Sequence, residues 1–169
     1  LKTKLSETGS PIPLLKNALK TANDVLNYRY KEGQDIDCIV RGRAGVVDEI
    51  LKLAWGALNW PNPLDICLIA VGGYGRGELL PHSDIDLLIL TKSGWHKKYQ
   101  EYVSSFLTML WDIGLEPGHS VRSIRQCKSE ASRDITIATA IMESRILNGN
   151  PKLFSAMYKA THNQRVWPI

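Results

Sequence analysis

The spacing of two short apolar runs constrains this chain more than any other feature. Asp65-Ile66-Cys67-Leu68-Ile69-Ala70-Val71 stops at Gly72-Gly73, and Leu87-Leu88-Ile89-Leu90 follows Asp84-Ile85-Asp86. Short apolar runs bounded by glycines and turn residues read as buried strands, here 65–71 and 84–91. Only about ten residues separate Gly73 from Asp84, fewer than a strand–helix–strand crossover occupies. The two strands are therefore expected as neighbours linked by a short turn of helix, placed at 76–80. A dinucleotide-binding crossover does not fit this spacing. A P-loop is excluded because no Gly-Lys-Ser or Gly-Lys-Thr follows the glycines.

The remaining chain reads mostly as helix. Residues 1–13 are polar, with two prolines, and read as a loose arm. Residues 13–30 place Leu14, Leu15, Ala18, Leu19, Ala22, Val25 and Leu26 at helical spacing. Residues 36–59 carry Ile39, Val40, Val47, Ile50, Leu51, Ala54 and Leu58 on one face, and Trp60-Pro61-Asn62-Pro63 stops that helix. A third helix spans 95–113, with Tyr99, Tyr102, Val103, Phe106, Leu107, Leu110 and Trp111 on its core side and Gly114 at its end. Residues 118–124 alternate as a third strand. Residues 134–147 and 151–161 read as helices, with Asn148-Gly149-Asn150-Pro151 between them. This order of elements predicts an α+β fold (α/β-like): a small mixed sheet flanked by helices. The expected organisation is an N-terminal helical segment over 1–60, a core over 61–150, and the start of a truncated C-terminal helical segment over 151–169.

Length and charge narrow the function classes. A chain of 169 residues buries a core without staples. The net charge of +4, from 21 Lys and Arg against 17 Asp and Glu, suits a phosphate-bearing partner. It is too weak to point to DNA or a membrane surface, and no long basic block occurs. No apolar stretch reaches the ~18 residues of a membrane span. Cys38, Cys67 and Cys127 are odd in number and widely spaced. They read as buried small hydrophobes in a reducing, cytoplasmic setting rather than as a disulfide or zinc framework. The first residue is not Met, and the sequence reads as a piece excised from a larger protein.

The chemistry concentrates in 71–90, VGGYGRGELLPHSDIDLLIL. Glycines at 72 and 73 let backbone approach a phosphate, and the free N–H groups of a helix start favour anions. Arg76 adds a guanidinium fork for phosphate oxygens, and Ser83 adds a hydroxyl. Strand alternation puts Asp84 and Asp86 on one side and Ile85 and Leu87 on the other. Paired carboxylates repel each other unless a divalent cation sits between them, and Mg²⁺ prefers a couple of carboxylates completed by substrate phosphates and water. Asp84 and Asp86 are thus the candidate metal-binding and catalytic residues, with Mg²⁺ or Mn²⁺ as cofactor. His119, Arg122 and Arg125 are candidates for nucleotide contact. His82 reads as a turn residue, and Lys97-Lys98 as a solvated face. Trp95, Trp111 and the tyrosines read as core.

The glycine pair followed by Ser83-Asp84-Ile85-Asp86-Leu87 resembles the signature of the DNA polymerase beta-like nucleotidyltransferase superfamily. The longer string resembles the bacterial family of PII-protein uridylyltransferase/uridylyl-removing enzymes. That resemblance continues through Leu110-Trp111-Asp112, Leu115-Glu116, Gly118-His119-Ser120-Val121-Arg122, Asp134-Ile135-Thr136-Ile137-Ala138-Thr139 and Glu143-Ser144-Arg145. It implies transfer of UMP from UTP to a tyrosine hydroxyl of the trimeric nitrogen-signalling protein PII. It implies phosphate contacts at Gly72 and Gly73 and metal ligands at Asp84 and Asp86. Glutamine sensing and UMP removal belong to domains of that family outside this chain. The same superfamily fold serves other acceptors (small-molecule hydroxyls, RNA ends, other proteins) and non-catalytic nucleotide sensing. Related enzymes place a third carboxylate on the strand matching 118–124, where this chain has Ser120. Glu116, Asp134 and Glu143 are the neighbouring acids, and the sequence does not choose among them.

Overall fold

The computed structural model describes residues 10–92 and 97–162. Two long helices lead: α1 (Ile12–Lys31) and α2 (Ile36–Gly56). Pro11 and Pro13 open α1, where a missing N–H is harmless, and Asp35 caps α2 by accepting from Asp37 N–H. A 3₁₀ turn at Pro63–Asp65 leads into β1 (Ile66–Ala70), then α3 (Gly72–Gly75), β2 (Asp86–Thr91) and α4 (Lys97–Ile113). β3 (Gly118–Ser123), α5 (Ile124–Ala131), α6 (Ile135–Met142), β4 (Arg145–Gly149) and α7 (Pro151–Thr161) complete the order.

The four strands form one mixed sheet in the order β3-β2-β1-β4. β1 is antiparallel to β2 and β4, while β2 and β3 run parallel. A parallel pair needs a long connection, and α4 supplies it. The central strands are covered on both faces, so Ile66–Ala70 and the stretch from Leu87 to Leu90 are continuously apolar rather than alternating. Ile66, Leu68, Ala70, Leu87 and Ile89 face a core built with α1, α2 and α4, where Trp55, Trp60 and Phe106 cluster. Cys67, Ile69, Leu88 and Leu90 face the smaller core of α5, α6 and α7. The N-terminal helices therefore share one continuous core with the sheet. No helix among the described residues is long and apolar enough to cross a membrane.

Several expectations need correction. The helical turn lies at Gly72–Gly75, not 76–80, because the chain turns directly out of β1. The hydrogen-bonded strand begins at Asp86 rather than Asp84. The predicted helix over 134–147 ends at Met142, and Arg145–Gly149 instead pairs with β1 as β4. α5, over Ile124–Ala131, is a helix beyond those expected from the apolar spacing. Val25 and Trp111 lie on the outer faces of their helices, 45% and 55% exposed. Cys67 and Cys127 are buried, but Cys38 is exposed, and none of the three forms a disulfide. Trp95 and the side chains of Lys97 and Lys98 lie outside the described residues.

Candidate active site

The site forms where β1 ends and β2 begins. These strands are antiparallel, so the exit of one and the entrance of the other share an end of the sheet. Val71 N–H donates to Asp86 C=O at 3.1 Å, tying the glycine turn to the carboxylate strand. Gly72 has φ +60°, a left-handed conformation strained for side-chain-bearing residues, and this lets the chain turn at once into α3. A Cβ at Gly72 would stand 3.7 Å from Asp86 Oδ2. The first N–H groups of α3 lack helical acceptors, as at any helix start.

Burial alternates along 84–87: Asp84 and Asp86 are exposed, while Ile85 and Leu87 are buried. The two carboxylates therefore share the open side, although only Asp86 lies in the strand proper. Asp86 is pushed above the ordinary carboxylate range, first by desolvation and second by the charge of Asp84. Gly118 of β3 pairs with Asp86, and a Cβ there would come within 2.7 Å of Asp86 Oδ1. A side chain at 118 would make the Asp86 carboxylate shift from this position.

Arg76 follows α3, and its guanidinium lies over Gly73, where a Cβ would be 3.5 Å from Nη2. Its Nε donates to Glu78 at 2.9 Å, and its Nη1 pairs with Glu143 at 2.7 Å. Arg76 is thus held by two carboxylates beside the glycine turn. Ser83 is exposed immediately before Asp84, and the turn ahead of it holds His82 at φ 66°.

Arg145, Asp48 and Tyr74, to which the sequence assigns no site role, pin the turn from behind. Arg145 of β4 forms a fork onto Asp48 of α2, with Nη2 3.1 Å from Oδ1. The same guanidinium donates to the carbonyls of Tyr74 (3.3 Å) and Gly75 (3.2 Å). Tyr74 donates its hydroxyl to Asp48 at 2.6 Å. Burial, then Asp48, drives the Tyr74 phenol well above its usual range, so it stays a neutral donor. A Cβ at Gly75 would lie 2.0 Å from the Glu143 carbonyl oxygen, which fixes α3 hard against the start of β4.

Residues 51–139 match the family described as nucleotidyltransferase domain. This chain belongs to that family. Curated relatives agree: "Bifunctional uridylyltransferase/uridylyl-removing enzyme" of Azotobacter vinelandii is 51% identical over 98% of this chain. Proteins of the same name from Pseudomonas syringae pv. tomato and Pseudomonas entomophila are 48% and 47% identical over the same share. The chain spans 18% of the length of each of these relatives.

In a nucleotidyltransferase domain the donor set of interest for a divalent cation is the exposed pair Asp84 and Asp86. Among the described residues no group of three His, Cys, Asp or Glu side chains converges to hold a metal. Asp84 and Asp86 are both exposed, and exposed carboxylate oxygens are the donor type that a hard divalent cation takes. The three acids left open as a further carboxylate have distinct placements. Asp134 caps α6 by accepting from Thr136 N–H at 2.8 Å. Glu143 is bound to Arg76. Glu116 is exposed, two residues before the Gly118 that faces Asp86. Ser120 pairs with Leu88, on the same sheet face as Asp86.

Proposed function

We propose that this domain transfers UMP from UTP to a tyrosine hydroxyl of the PII signalling protein and releases pyrophosphate. The observation that carries the proposal is the convergence of the Gly72-Gly73 turn with Asp84 and Asp86 at one end of the sheet, joined by the Val71–Asp86 hydrogen bond. The relatives' printed name supplies the uridylyl group.

In this reading the backbone N–H groups of Gly72 and Gly73 hold the β- and γ-phosphates, aided by Arg76 and Ser83. Asp84 and Asp86 would hold Mg²⁺ or Mn²⁺, which would supply neutralisation of phosphate charge and a lowered pKa of the attacking hydroxyl. The tyrosine oxygen forms a bond to the α-phosphorus, the bond to the bridging oxygen breaks, and pyrophosphate leaves. The tyrosine proton passes to solvent or a nearby base. The protein's contribution is positioning and charge stabilisation on a rigid strand. The setting is the bacterial cytoplasm, with glutamine sensing in domains beyond this chain and neither DNA nor membrane as a partner.

The test is UMP transfer from labelled UTP to purified PII by the full-length protein. Asp84→Asn and Asp86→Asn are expected to lower transfer by about 10²-fold or more while leaving the circular dichroism spectrum unchanged. Full activity in either variant contradicts the assignment. Transfer to a small-molecule hydroxyl but never to PII moves the proposal to a different acceptor.

A further inference from the structure

Beside Asp86 the sheet face continues into a groove of about 240 Å³, roofed by α6. Its walls include Leu88, Ile137 and Ile141, and its polar groups include Ser120, Thr136 and Arg122. An apolar slot repels a triphosphate but suits a ribose and a flat base. The glycine turn and Arg76 form the polar ground for phosphates, so a nucleotide placed with its α-phosphate at Asp86 has its nucleoside in the groove.

Arg122 occupies the far end. On β3, Gly118 stands opposite Asp86 and Arg122 stands opposite Leu90. That separation of four residues is roughly 13 Å of strand, and even-numbered positions share the Asp86 face. Arg122 is mostly buried, and its Nε is bound to Glu130 at 2.6 Å. This ion pair ties the guanidinium to α5 through Nε. A guanidinium donates and never accepts.

We infer that this groove is the nucleoside pocket and that Arg122, oriented by Glu130, selects uracil over cytosine. The inference rests on the nucleotidyltransferase reading of the site above and adds the source of its base preference. The base edge farthest from the ribose carries the C4 substituent. Uracil presents a carbonyl there, which accepts from Arg122. Cytosine presents an amino group, which sets donor against donor and leaves a buried N–H without an acceptor.

The experiment compares kcat/KM for UTP and CTP in the full-length protein, with PII as acceptor and Mg²⁺ present. Arg122→Gln supplies an acceptor as well as donors, and is expected to shrink the UTP-over-CTP ratio by about 10- to 100-fold. Arg122→Lys remains donor-only and is expected to keep most of the ratio. A purely structural role for Arg122 moves UTP and CTP together in both variants, and that result overturns the inference. Calorimetric binding of UTP and CTP is the second readout. Equal metal-dependent binding of the two by the wild type overturns the base assignment and leaves the catalytic site standing. Failure to bind any nucleotide overturns both.

Discussion

Cys38, Cys67 and Cys127 show how position sets the chemistry of one residue type. Cys67 lies in β1 and Cys127 in α5, both fully buried, and burial pushes their thiols up to about 12 and about 11. Thiolate is the reactive form, so both are nearly inert near neutral pH. Cys38 is exposed on α2. At pH 8 a thiol-alkylating reagent is expected to label the native protein once, at Cys38, and three times after unfolding. Rapid native labelling of Cys67 or Cys127 would contradict the burial. The raised values also favour the fold only while the unfolded thiols stay protonated, below ~8.5. Above that pH the unfolded chain loses protons first and stability falls. The aspartates of the proposed site stand out in the sequence because DxD next to a glycine pair demands a cation or an explanation. Arg145 and Asp48 were not, because they lie 97 residues apart and no local pattern links them.

At the element scale, the cradle depends on strands and helices distant in sequence. α3 is four residues long and cannot hold its own orientation. Arg145 and Asp48 hold it through the Tyr74 and Gly75 carbonyls and the Tyr74 hydroxyl. Asp48→Ala takes the charged partner from a half-buried guanidinium, which keeps only its bonds to the Tyr74 and Gly75 carbonyls, and the acceptor from a buried phenol, and is expected to cost about 2–3 kcal/mol in a denaturant titration. Tyr74→Phe removes one hydrogen bond and is expected to cost about 1 kcal/mol. Equal stabilities for wild type and Asp48→Ala would show that α2 does not brace the turn. β4 was unreadable because Ile146 and Leu147 continue the apolar pattern of α6, and neither Gly nor Pro marks the break at Glu143-Ser144. Pairing with the open edge of β1 decides the outcome there, a tertiary contact overriding local pattern. α5 had a readable start: Ser123 and Gln126 form a reciprocal capping box.

Across the whole molecule, the two apolar runs with too short a link already required neighbouring strands, and the observed antiparallel β1–β2 pair satisfies that requirement. The helices supply two unequal cores, one on each face of the sheet, and leave the β1–β2 end open at Gly72, Asp84 and Asp86. Asp86 is raised by partial desolvation and by the charge of Asp84, a cost that a divalent ion bound between the two carboxylates would relieve under the proposed function. The most informative measurement is a calorimetric titration of the full-length protein with UTP, with and without Mg²⁺, in wild type and Asp86→Asn. The expected result is saturable UTP binding that needs Mg²⁺ and is lost in Asp86→Asn while the variant remains folded. UTP binding that is indifferent to both Mg²⁺ and Asp86 would place the nucleotide elsewhere and contradict the site described above.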